Sequence, residues 1–125
     1  MTDKSLSPDL RRFIVARISS IPALEALLLL RSREPGWDLP ELAARLYVSE
    51  ADVRRVVQDL ERRGLARLAD ARAAYAPEDA ATTAAVDDLS AVYASHLVEV
   101  SRLIHSSTDH KAHRFADAFV IRKEP

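Results

Sequence analysis

Two helix-start signals stand close together near the middle of the chain, and they leave room for only a tight turn between two helices. Asp38, with Glu41 three residues on, forms an N-cap and capping-box pair, and Ser49 with Asp52 repeats the arrangement. The first signal opens a short helix over Leu39–Leu46, with Leu42, Ala43 and Leu46 inward. Tyr47 and Val48 make the turn. The second opens a helix that runs through Val53, Val56, Val57 and Leu60 to Arg63, where Gly64 stops it.

The residues after Gly64 narrow the choice further. Leu65-Ala66-Arg67-Leu68 alternates apolar and polar, Ala69 to Arg72 is a turn, and Ala73-Ala74-Tyr75-Ala76 returns as a partner strand. Alanine is a poor strand former, so context carries this hairpin more than propensity does. The order from Trp37 to Tyr75 is helix, turn, helix, hairpin. That is the order of a winged helix-turn-helix, and Pro77 closes it.

Upstream, Ser7-Pro8-Asp9 opens a first helix with Leu10, Phe13, Ile14, Arg17 and Ile18 on one face. Ser19, Ser20 and Pro22 punctuate, and Ala23 to Arg33 forms a second helix whose Leu24, Leu27, Leu28 and Leu30 surround it as a buried spine. Glu34, Pro35 and Gly36 end that helix. Downstream, a long helical pattern runs from Asp79 to about His105. Val86, Leu89, Tyr93, Leu97, Val100 and Ile104 recur along it in an apolar seam, widened by Val92, His96 and Leu103. A helix of that length carries more apolar surface than a small head can cover, so the seam predicts a homodimer. The expected fold is mainly α: a winged helix-turn-helix head over 1–79 with a small β-hairpin, then a C-terminal helical extension over 80–125 with a long helix.

Composition removes several function classes. With 125 residues, 48% of them hydrophobic and 30% charged, the chain can build a single core. It contains no cysteine, so a disulfide framework, a thiol nucleophile and a thiolate metal site are all excluded. Two glycines leave no phosphate-cradling loop, and no serine sits at a strained nucleophile turn, so no enzyme is expected. The polar Met1–Leu10 segment lacks the apolar core of a signal peptide, and the Ile21–Leu30 run is interrupted by Pro22 and Glu25. A cytoplasmic protein without a membrane span is expected.

The run from Leu39 to Arg67, LPELAARLYVSEADVRRVVQDLERRGLAR, resembles the DNA-binding core of MarR-type and related bacterial winged-helix regulators. It has a small residue in its first helix, an apolar residue in its turn, a Ser cap and a Leu-Glu-Arg-Arg-Gly-Leu exit. The resemblance implies a dimeric transcriptional regulator whose Ser49–Arg63 helix enters the major groove of double-stranded DNA. The wing tip, Asp70 to Arg72, then lies near the backbone or minor groove. The side chains it points to are Ser49, Arg54, Arg55, Gln58, Arg62, Arg67 and Arg72, since Arg can fork onto guanine and Gln onto adenine. Two departures stand out. Tyr47 occupies a turn position commonly held by Gly, and Glu50 and Asp52 place negative charge at the end that should meet DNA.

A plainer reading of the same arginines is a solvated helix face, because Ser49–Arg63 holds four acids beside its four arginines. The head is neutral too: residues 1–79 hold 13 of the 18 Lys/Arg and 13 of the 19 Asp/Glu. The alternative function is therefore a winged helix that no longer binds DNA and docks a regulatory protein partner. Tyr47 is a partner contact if exposed and a core cap if folded back. Near the C-terminus, His105, Asp109, His110 and His113 include zinc- or nickel-ligand types, but Ser106-Ser107-Thr108 separate them, and a polar connector without a bound metal or other cofactor is expected. Phe115, Ala118, Phe119 and Ile121 form a last apolar stretch, with Phe115 and Phe119 as a possible protein-binding pair.

Overall fold

The computed structural model describes residues 6–105. In chain order the elements are α1 (Pro8–Arg17), α2 (Ile21–Ser32), β1 (Trp37–Asp38), α3 (Leu39–Leu46), α4 (Glu50–Arg62), β2 (Ala66–Ala69), β3 (Arg72–Tyr75) and α5 (Ala80–Tyr93). The chain is helical again over 97–105, here α6, at the end of the described residues. The fold is mainly helical, with a three-stranded antiparallel sheet, and matches a winged helix-turn-helix.

Local chemistry explains most helix boundaries. The Ser7 hydroxyl accepts from the Leu10 amide and Ser20 from Ala23, each satisfying one of the first-turn donors that a helix cannot pair internally. The second helix starts earlier than expected, at Ile21. Pro22 lies in its first turn, where a missing amide and a fixed φ do no harm, so it starts the helix instead of interrupting it. Ser49 caps α4 through the Asp52 amide at 3.0 Å.

The capping box expected at Asp38 does not form. Asp38 has the extended N-cap backbone but makes no side-chain cap bond. Its carboxylate accepts from Arg72 Nη1 at 2.6 Å instead, and Glu41 pairs with Arg33 at 3.0 Å. The cause is a strand that the alternation pattern was too short to show. Trp37 and Asp38 pair with Ala73 and Arg72, which makes β3 the central strand in the order β1-β3-β2. Leu39 N–H also donates to Ala71 O at 2.8 Å, so α3 is fastened to the tip of the hairpin. Gly36 lets β1 approach this closely: its φ is +138°, and a β-carbon there would lie 2.3 Å from Ala73 O.

One hydrophobic cluster takes in Leu10, Ile14 and Ile18 of the α1 region, Leu24, Leu27 and Leu30 of α2, Leu39 and Leu42 of α3, and Val53, Val57 and Leu60 of α4. Trp37 closes it on one side, its indole N–H donating to Leu29 O at 2.8 Å and Arg33 stacked 3.6 Å over the ring.

The C-terminal seam needs correction. Val86, Leu89, Val100 and Ile104 are buried in this same cluster, Tyr93 packs partly against it, and Leu97 is half exposed. The long helix is two helices, broken at Ala94-Ser95-His96. Unbroken from 80 to 105 it would span about 39 Å at 1.5 Å per residue, too long to lie along one small head. Arg11 pairs with Glu99 across α1 and α6, and four of the six seam residues cover the chain's own core. Those four are not available as a dimer surface in this conformation.

Gly36→Ala tests the close approach of β1. Both the positive φ and the contact with a backbone oxygen oppose a side chain there, so urea unfolding should show a loss of at least about 2 kcal/mol. A change below about 0.5 kcal/mol would show that β1 can move away freely.

Candidate nucleic-acid interface

The outward face of α4 is set by what its inward face buries. Val53, Val57 and Leu60 are fully buried, which turns Glu50, Arg55 and Arg62 to solvent and leaves Arg54 and Gln58 at the margin. Ser49 sits exposed at the N-terminus, its hydroxyl used in the cap. The hairpin is placed beside this helix by two polar contacts. Leu68 N–H donates to Glu61 at 3.2 Å, and Arg54 reaches the Asp70 carbonyl at the hairpin tip at 3.4 Å.

The expected contact residues therefore fall into three groups. Ser49, Arg54 and Arg55 gather at the N-terminal half of α4, with Arg54 beside the wing tip. Gln58 and Arg62 continue along the helix, and Arg67 is exposed on β2. Arg72 does not join them. Its guanidinium reaches back to Asp38 and to Gly36 O at 3.3 Å, where it holds β1 to the hairpin.

Ion pairing decides how much positive charge is on offer. Arg55 pairs with Asp52 at 2.5 Å and Arg62 with Asp59 at 3.4 Å, both within one helical turn. Arg54 and Arg67 have no carboxylate partner among the described residues. Exposed pairs of this kind contribute only about 0.2–1 kcal/mol, so a phosphate or a guanine edge can compete for Arg55 and Arg62. Glu50 and Asp52 stay exposed in the first turn of α4, where they favour the helix N-terminus and oppose a polyanion.

The far end of α4 is held by a polar clamp. Asp59 accepts from Arg63 Nε at 3.0 Å and from the Ser19 hydroxyl at 2.8 Å. Arg63 also donates to Ala16 O at 3.1 Å, while Arg17 donates to Arg63 O at 2.7 Å and to Glu78 at 2.8 Å. Burial by itself would raise the Asp59 carboxyl. Hydrogen bonds from Ser19 and Arg63 and the charges of Arg63 and Arg62 outweigh it and hold the group below the ordinary carboxylate value.

The turn before α4 takes the unusual of the two shapes that Tyr47 allowed. Tyr47 is left-handed, at φ 59° and ψ 42°, and its N–H caps α3 by donating to Ala43 O and Ala44 O. Its ring is 94% exposed, so it does not fold back as a core cap. Arg45, also exposed and outside the expected contact set, flanks it; no sequence signal distinguished this arginine from any other solvated one.

Among the described residues no group of three or more His, Asp or Glu could hold a metal ion. His105 is exposed at the end of α6, while Asp109, His110, His113, Phe115 and Phe119 lie outside the described residues.

The depressed Asp59 pKa fixes a pH response. An unfolded aspartate titrates near about 3.9. With the folded value lower, the clamp's contribution is fully present above that pH and is lost as pH falls through the folded pKa. Urea unfolding from neutral pH downward should therefore show a stability loss below about pH 4 that is smaller in Asp59→Asn. Identical acid limbs in the two proteins would rule out the clamp as a contributor.

No curated protein matches the chain. A family model does: the IclR helix-turn-helix domain matches residues 23–70, a span that begins in α2, takes in α3 and α4 and ends at the hairpin tip, so the similarity is to an IclR-type winged helix-turn-helix, and the MarR-type assignment is not confirmed.

Proposed function

We propose that the chain is a DNA-binding transcription regulator that acts as a homodimer and inserts the Ser49–Arg63 helix into the major groove. The observation that carries this reading is the edge of α4 that exposes Arg55 and Arg62 and holds Arg54 and Gln58 at its margin, set beside the hairpin tip within the segment that matches a DNA-binding domain family. Its chemistry suits base recognition: Arg55 and Arg62 can fork onto guanine O6 and N7, and Gln58 onto adenine N6 and N7. Arg54 and Arg67, free of carboxylate partners among the described residues, supply phosphate contacts on either side of the groove. A regulator of this kind needs no catalytic apparatus.

Glu50 and Asp52 favour a second reading, in which the same fold docks a regulatory protein and leaves DNA alone. The two readings part on the arginines. Replacing Arg54 and Arg55 together by Ala should weaken binding to a cognate duplex by at least about 10- to 100-fold, because the base contact of Arg55 alone contributes about 1–3 kcal/mol. The thermal midpoint should barely move, since both side chains make only exposed or long contacts. Loss of the fold in this variant would make the arginines structural, and unchanged affinity would move the function to the protein-docking reading.

A further inference from the structure

A groove opens between α2, the end of α3 and the end of α5, beside the turn that leads into α4. Leu28, Leu29, Leu46 and Tyr93 give it an apolar floor. At its edge stands Tyr47, the most exposed of the large hydrophobic side chains among the described residues, on a left-handed backbone conformation that a non-glycine residue rarely adopts. Glu25 and Arg45 also border the groove, and neither has an ion-pair partner among the described residues. Arg45 lies 5.9 Å over the Trp37 ring, a contact that leaves it exposed to solvent.

We propose that this groove is the contact between two copies of the chain, each placing its Tyr47 ring in the groove of the other across a two-fold axis. The proposal rests on the dimeric reading and gives it a surface. A two-fold contact uses one patch twice, so that patch must be complementary to itself. This one is: it carries an aromatic knob beside an apolar hollow, and a cation beside an anion. The axis that seats Tyr47 also brings Arg45 of each copy toward Glu25 of the other. Tyrosine and arginine are the residue types that most often anchor such contacts. Of the seam of α5 and α6, Val86, Leu89, Val100 and Ile104 are buried in the core of their own chain, whereas Tyr93 lies in this groove. Since α4 begins directly after this turn, the contact also sets the separation of the two recognition helices, and with it the half-site spacing.

Sedimentation equilibrium of the full chain, without DNA and over a micromolar concentration series, tests the surface. The wild type should approach twice 13.9 kDa. Tyr47→Gly removes the ring while suiting the left-handed turn, so it should sediment as a monomer with an unchanged circular dichroism spectrum. Arg45→Glu should weaken the dimer by tenfold or more, and adding Glu25→Arg should restore it. A dimer of wild-type affinity in both Tyr47→Gly and Arg45→Glu would place the contact elsewhere and leave the dimeric reading intact. A wild-type monomer throughout, as expected if another protein or another segment takes the groove, would overturn both, while DNA binding is read separately by titration with duplex.

Discussion

The Asp59 carboxylate joins the helix that faces outward to the rest of the molecule. It gathers Ser19, which follows α1, and Arg63, which reaches back to the end of α1, so the C-terminal end of α4 is fixed in position and in rotation. Three buried side chains, Val53, Val57 and Leu60, hold the same helix from beneath. Apolar burial alone would permit small rotations of α4, because it is not directional. The clamp is directional, and together with the burial of Val53, Val57 and Leu60 it opposes rotation of the face that carries Arg55, Gln58 and Arg62. A recognition surface needs that kind of support, since contacts placed about 1 Å wrong lose much of their discrimination.

The same economy of charge shapes the surface itself. Most arginines here have an acid within reach, and the pairs differ in what they do. Arg63 with Asp59 and Arg72 with Asp38 belong to contacts that connect elements far apart in sequence and are structural. Arg55 with Asp52 and Arg62 with Asp59 stay within one turn of α4, leave their guanidinium groups open to solvent and can be exchanged for contacts with DNA. A neutral head of this kind has little long-range attraction for a polyanion. Its affinity has to come from short-range fit, which favours discrimination between sequences over general adhesion to DNA.

Features set by neighbouring residues were legible in the sequence. The caps at Ser7 and Ser49, the stop at Gly64 and the hairpin after it each depend on a few adjacent side chains and appear where expected. Tyr47 was also marked in advance, because a bulky residue in a turn that favours glycine must either strain or reshape it. Features decided by distant residues were not legible. Asp38 has every local mark of a cap, yet Arg72 claims its carboxylate from across the sheet. The two-residue strand at Trp37 is too short to show alternation. The break at Ala94-Ser95-His96 holds neither glycine nor proline to mark it, and the apolar spacing alone does not show that Val86, Leu89, Val100 and Ile104 cover the core of their own chain. For the expected contact residues, helical spacing shows that Arg55 and Arg62 lie on the outward face of α4, with Arg54 and Gln58 at its margin. It could not show that Arg72 is withdrawn, because that depends on a strand pairing.

The most direct measurement is fluorescence anisotropy of the purified protein with a duplex from upstream of its own gene and with a scrambled duplex of equal length, each across a salt series. Phosphate contacts release counterions, so affinity must fall as salt rises, with a slope of about 0.9 per phosphate contacted. Binding to the upstream duplex that is salt-sensitive and at least about a thousandfold tighter than to the scrambled one is the expected result. No binding to either duplex at low salt would contradict a DNA-binding regulator and leave the winged helix as a surface for protein.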